Sequence, residues 1–266
     1  MSILLALFGL TGTIWLPLVA IWLYRKGWRW PQPIQLSFQD KLKGLASLYL
    51  ALPLVMGLFA RWGRVSLEQS GLRFQLQDGL WLALGLGLGL IGLAIAFGLE
   101  ILWGWTRWQS PKGWLQAIGL ALVVGLWVGF VEEWLFRGFA LVALKSHGWW
   151  GAVALSSALF AILHLIWEPS DRLGRALPQL PGLWLMGVVL AYARVVADGS
   201  LALSWGIHAG WVCGLTATDS ARAIVYTGCA SKWLTGLNDR PLAGVMGWLL
   251  LMATAATLWG IRVQIS

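Results

Sequence analysis

The sequence predicts an all-α fold, a polytopic transmembrane bundle of about eight helices, and three observations carry that prediction. Of the 266 residues, 59% are hydrophobic and only 11% are charged. The mean hydropathy is +0.73, so lipid must be the solvent for most of the chain. Apolar runs follow one another along nearly the whole sequence, each near the roughly 20 residues that a span needs, with charged, Pro-containing or polar breaks between them. Residues 1–266 therefore read as a single integral membrane domain.

The first helix is expected over 3–24. Its run is longer than a signal-peptide core, no basic residue precedes it, and Arg and Ser do not accumulate as in a transit peptide. It reads as a retained span, with the mature protein starting near Met1. The second helix is expected over 44–61. The segment from Val65 to Asp78 then mixes Arg, Glu and Gln with Leu and Phe, as an interfacial connection would. A third helix over 79–103, a fourth over 114–143 and a fifth over 148–167 follow. The sixth, 181–197, and the seventh, 200–216, are short and meet at a tight Asp198-Gly199 break, which fits a re-entrant pair or two inclined helices. The stretch 216–240 holds Asp219, Arg222, Lys232 and Arg240, and reads as an ordinary loop or as a cover over a site mouth. An eighth helix over 241–262 closes the bundle.

Charge sets an orientation. Of the 19 Lys and Arg, 12 fall in the loops after helices 1, 3, 5 and 7 and six in the remaining loops and the C-terminus, with Arg137 inside a helix. Both termini are then expected to face away from the cytoplasm. The same scatter of basic residues, for a formal charge of +8, excludes nucleic acid as a partner, because no single face gathers them. Membrane lipid is the expected partner, in a bacterial-type cell membrane or an organelle membrane.

Three features have bland readings. The Leu84 to Gly89 alternation of Leu and Gly follows no strand and is flanked by apolar residues, so Gly85 and Gly89 are read as points of close helix approach rather than as a phosphate loop. Trp30, Trp103, Trp105, Trp108, Trp114, Trp149, Trp150 and Trp167 lie near helix ends, where an aromatic belt belongs. Cys213 and Cys229 are too few for a disulfide framework and are read as two idle thiols, with one loop-closing disulfide as the alternative.

Chemistry concentrates in Glu132, Glu133 and Arg137, inside a run otherwise apolar from Trp114 to Leu144. A charged side chain at mid-membrane costs roughly 2.5–3.5 kcal/mol on insertion scales, so three within six positions require a compensating role. At about 100° per residue, Arg137 lies about 40° round from Glu133, the arrangement of an intrahelical ion pair, and about 140° from Glu132. Glu132 is left as the carboxylate for general-base work. His164 in the fifth helix and His208 in the seventh are two of only three histidines, and both lie inside apolar segments, whereas His147 falls in a loop.

This pattern resembles the CPBP intramembrane proteases, which include the type II CAAX prenyl endopeptidases and bacteriocin-processing or immunity relatives. Their pattern is Glu-Glu-x-x-x-Arg, Phe-x-x-x-His and His-x-x-x-Asn or Asp on separate membrane helices. Glu132, Glu133 and Arg137 match the first part, Phe160 and His164 the second, and His208 the start of the third. The resemblance covers a core of residues 114–216. It implies peptide-bond hydrolysis within the membrane, with Glu132 and His164 activating water, His208 stabilising the oxyanion or delivering a proton, and Glu133 and Arg137 fixing the helix and the local field. The implied substrate is a membrane-associated peptide or protein, with prenylated C-termini admitted. Water activated by Glu and His alone is the preferred mechanism; zinc or another divalent metal on Glu132, His164 and His208 is the alternative. One position departs from the pattern: Val212 replaces the Asn or Asp and has no polar atom. A backbone amide or another side chain such as Ser204 must substitute, or the protein is slow or silent. Two rivals follow. A noncatalytic membrane scaffold would keep Glu133 and Arg137 as a clasp, and a proton-coupled transporter would need an internal repeat that the sequence does not display.

Overall fold

A computed structural model describes residues 2–29, 37–62, 65–110, 113–168 and 172–265. Eight long helices stand out among them: α1 Ser2–Arg25, α2 Phe38–Arg61, α3 Leu76–Leu102, α4 beginning at Trp114–Glu133, α5 Gly148–Leu163, α6 Leu180–Val196, α7 Ala202–Ser220 and α8 Val245–Ile265. The all-α bundle expected from the sequence is what forms, because a chain in lipid must satisfy its backbone within each segment. Among the described residues seven segments are long and apolar enough to cross a membrane, and the chain is an integral, multi-pass membrane protein. The helix containing His208, α7, is not among the seven.

The chain divides into two compact units, Met1–Leu67 and Glu68–Ser266. In the first, α1 packs on α2, with Trp15 Nε1 donating to Ser47 Oγ at 2.9 Å. Lys26 pairs with Asp40, and this contact holds the Asp40 carboxyl below its ordinary range. The Ser37 hydroxyl caps α2 by accepting from Asp40 N.

The second unit holds the whole 114–216 core. Its centre is α7, which lies between α3 and α4. Small residues make that possible. A Cβ on Gly85 would come within 2.4 Å of the Leu203 carbonyl, one on Gly206 within 2.3 Å of the Leu82 carbonyl, and one on Gly125 within 2.6 Å of the Ala209 carbonyl. The expected close approach at Gly85 and Gly89 is thus made against α7. The successive contacts of Gly85 and Gly89 advance along α7, so α3 and α7 run parallel, whereas those of Gly125 and Gly129 retreat, so α4 runs opposite. Asp78 ties the two parallel starts together: it accepts from Gln75 N at 3.0 Å and from Ser200 Oγ at 2.6 Å. Their far ends are joined by a short antiparallel ladder, β1 Thr106–Trp108 with β2 Ile224–Tyr226. The loop read over 216–240 therefore carries a strand, together with a short helix at Lys232–Thr235.

The break between α6 and α7 turns on Asp198 and Gly199, both left-handed, at φ 50° and 88°. Of the two helices that it joins, α6 has 17 residues and α7 has 19. On the other side, α6 packs with α5 and α8. Paired tryptophans mark helix ends, Trp103 on Trp105 with ring centres 4.7 Å apart and Trp108 edge-on to Trp114 at 5.2 Å. Trp30 lies outside the described residues, as does the Trp167 side chain. Cys213 is a buried thiol and Cys229 an exposed one.

Candidate active site

The fourth membrane segment is not one uniform α-helix. It is α-helical to Glu133, π-helical over Trp134–Ala140 and α-helical again over Leu141–Ala143. A π-helix replaces i→i+4 bonding with i→i+5, is rare, and recurs at functional sites. Here it begins directly after the two glutamates and contains Arg137. The wide turn frees carbonyls that other helices use. Ser156 Oγ on α5 donates to the Phe136 carbonyl at 2.8 Å, and Arg194 on α6 donates from Nη1 to the Arg137 carbonyl. Trp134 Nε1 donates to Ser70 Oγ at 3.0 Å, fixing the same turn from another direction.

The five residues singled out in the sequence meet around this turn. Glu132 is 4% exposed, Glu133 is fully buried, and Arg137 and His208 are each 1% exposed. Arg137 Nη1 donates to Glu133 Oε1 at 3.0 Å, the ion pair expected from the spacing. The guanidinium also lies 4.3 Å from the centre of the Phe160 ring, a desolvated cation–π contact. Phe160 in turn meets the His164 ring at a 60° tilt with centres 4.3 Å apart and lies edge-on to His208 at 5.8 Å.

The ring nitrogens divide their partners consistently. His164 Nδ1 lies 2.8 Å from the Phe160 carbonyl, which can only accept, so Nδ1 carries the proton. His208 Nδ1 lies 2.9 Å from Glu133 Oε1, again an acceptor when ionised beside Arg137. Both imidazoles are thereby oriented with Nε2 toward Glu132, His208 at 3.6 Å and His164 at 3.8 Å from the same oxygen, Oε2. These separations are too long for direct hydrogen bonds and suit a small molecule bridging the three groups. His164 is also the solvent-reaching member, its side chain 24% exposed against 2% for His208.

What the arrangement can do follows from the two different backers. Glu133 stabilises any positive charge that His208 takes up, in the way a carboxylate steadies a catalytic imidazolium. His164 rests on a neutral carbonyl and is suited to accept at Nε2. Among the described residues no group of three His, Cys, Asp or Glu side chains, Glu132, His164 and His208 included, is arranged to hold a metal ion.

Val212 is half-buried on α7 and offers no side-chain donor. Ser204 donates to the Leu201 carbonyl at 3.0 Å and lies against Glu133, on the ion-pair side of the site. Trp211, one turn after His208 and 4% exposed, has an indole N–H with no partner among the described residues. Sequence reasoning assigned nothing to Trp211, Ser156 or Arg194. For Arg194 a signal existed: the charge count assigns it to the loop after the sixth helix, yet it falls inside the 181–197 bounds of that helix, and an ionisable residue in an apolar run is a functional candidate by default.

Residues 113–214 match the family model described as Type II CAAX prenyl endopeptidase Rce1-like. The match spans less than half of the chain and contains all five site residues and Val212. No curated protein and no solved structure matches the chain.

Proposed function

We propose, from the premise that this chain belongs to the CPBP family through its Rce1-like core, that it is an endopeptidase cutting a membrane-associated peptide or protein with water activated by Glu132 and His164. The observation that carries the reading is the convergence of both Nε2 atoms on Glu132 Oε2 at 3.6 and 3.8 Å, each imidazole locked by an acceptor at Nδ1. A family with membrane proteases as members supplies the reaction class; the geometry supports the division of roles.

Water bridging Glu132 and His164 loses a proton to Glu132 as its oxygen adds to the scissile carbonyl carbon. His208, with Nδ1–H held by Glu133, serves the oxyanion and the leaving nitrogen in its doubly protonated form, from which Nε2–H donates. As the C–N bond breaks, the proton held by Glu132 passes to the departing amine, leaving a carboxylic acid and an amine. Glu133 and Arg137 do not touch the reacting atoms; they hold His208 and balance charge where lipid cannot.

A candidate for the donor missing at Val212 is its neighbour in sequence Trp211, whose buried Nε1–H lacks a partner among the described residues. A single oxyanion donor is worth about 100- to 1000-fold in rate. The second reading, a noncatalytic membrane scaffold, is favoured by Val212 itself. The deciding experiment is a cleavage assay of the purified protein in lipid against membrane peptides with and without prenyl groups. Cleavage by the parent that disappears in Glu132→Ala and His164→Ala, both still folded, supports the protease. A parent protein inert under conditions where a full-motif family member cuts would leave the scaffold standing.

A further inference from the structure

We infer that the cavity at the Lys145 end of the second unit binds the headgroup phosphate of an anionic phospholipid. The cavity has a volume of about 540 Å³, and its walls include Leu141, Val142, Lys145, Trp149, Arg194 and Asp198. Its depth is fixed by where the apolar segments stop: one ends at Ala143, the next begins at Lys145, and a third ends at Val196. The cavity therefore opens at the level where headgroups lie. Lys145 is exposed and Trp149 is 44% exposed, a cation and an indole of the kind that anchor at this boundary.

The charges favour an anion. Arg194 donates from Nε to the Gly199 carbonyl at 2.9 Å, from Nη2 to the Gln69 carbonyl at 2.8 Å and from Nη1 to the Arg137 carbonyl. A guanidinium has five N–H donors, so two remain, on a group already held rigid. The acid in the wall, Asp198, is paired with Arg262 Nη1 at 2.9 Å, and its backbone carbonyl accepts from Arg73 Nη2 at 2.9 Å. With Asp198 so paired, Lys145 and Arg194 remain as positive charge facing the cavity. The ammonium of a zwitterionic headgroup gains little from Asp198 and is repelled by Lys145 and Arg194, while a headgroup whose phosphodiester is its only charge gains both cations, and the Leu141, Val142 and Trp149 walls accept the glycerol and first methylenes. Free phosphate shares the chemistry but leaves those apolar walls in water. This site shares no ligand-facing residue with the peptide-cutting site, so its test is independent of that reading.

The test uses the full chain, delipidated in an uncharged detergent and titrated with phosphatidylglycerol, phosphatidylcholine or inorganic phosphate, with native mass spectrometry and thermal unfolding as readouts. Phosphatidylglycerol is expected to bind about tenfold more tightly than phosphatidylcholine, which carries the same phosphodiester but brings its own quaternary ammonium up to Lys145 and Arg194. Lys145→Glu, at an exposed position that folding tolerates, should remove that preference, and Lys232→Glu, outside the cavity, should leave it intact. Equal binding of the two lipids, or a preference indifferent to Lys145→Glu in a variant that unfolds at the parent's temperature, overturns the proposal. Stabilisation by inorganic phosphate equal to that by phosphatidylglycerol overturns the lipid as the source of the anion.

Discussion

At the residue scale, the site separates groups that would react from groups that hold them. Glu132→Ala and His164→Ala are each expected to lower turnover by about 100- to 10,000-fold, the worth of a positioned acid–base group; kcat in a lipid-embedded assay is the check. Their effects should combine less than additively, because both act on the same water. Trp211→Phe removes the unpartnered N–H together with part of the buried indole, so it should cost about 100-fold or more in kcat with little change in KM, beyond what its loss of stability in thermal unfolding accounts for. Restoration of most of that loss by adding Val212→Asn would assign the missing donor to this face of α7, and an unchanged kcat in Trp211→Phe would remove Trp211 from the reaction. Arg137 belongs to the holding set. Removing it leaves Glu133 buried and uncompensated, which costs about 3–5 kcal/mol, so Arg137→Met is expected to lose folded protein before it loses chemistry specifically.

At the element scale, two devices bring the site together: the π-helical turn in the fourth membrane segment and the glycine contacts that seat α7. The turn is stabilised from outside by Ser156 and Arg194, which take up the Phe136 and Arg137 carbonyls. Ser156→Ala should therefore destabilise by about 1 kcal/mol and change kcat more than a surface substitution of equal stability cost does, read by thermal unfolding alongside turnover. The α7 seat is less forgiving. A methyl on Gly206 would stand 2.3 Å from a backbone oxygen of α3, so one helix must move. Gly206→Ala is expected to destabilise by about 1–3 kcal/mol and to displace His208 relative to Glu132, whereas Gly98→Ala, with open space around its Cβ, should be neutral.

At the scale of the whole molecule, α7 poses the topological question. It is not apolar enough to stand among the membrane-crossing helices, yet it runs parallel to α3 from a shared start at Asp78 and Ser200 to a shared end at the β1–β2 ladder. A helix enclosed by α3 and α4 meets protein rather than lipid and needs no apolar surface, so α7 should cross with them. Cys229, exposed beyond β2, and a cysteine introduced at Lys145 are then expected to react with a membrane-impermeant maleimide from opposite sides of the membrane, while buried Cys213 stays unlabelled. The charge bias adds that Cys229 faces the cytoplasm; labelling of Cys229 in intact cells would reverse that orientation, and labelling of both positions from one side would deny α7 its crossing.

The sequence by itself determined the class of solvent, the number and limits of the long helices, and the identity of the charged cluster, because each depends on local composition: about 20 apolar residues make a span, and an ionisable group inside one stands out against its neighbours. The Glu133–Arg137 pair was legible for the same reason, being set by helical spacing within one segment. The π-helical turn, the Nδ1 backers of the two histidines and the joint approach of His164 and His208 to Glu132 were decided only by the tertiary structure. Those features depend on which helix faces which, and apolar side chains in lipid carry little directional information about their partners; small residues, polar contacts and close packing make that choice.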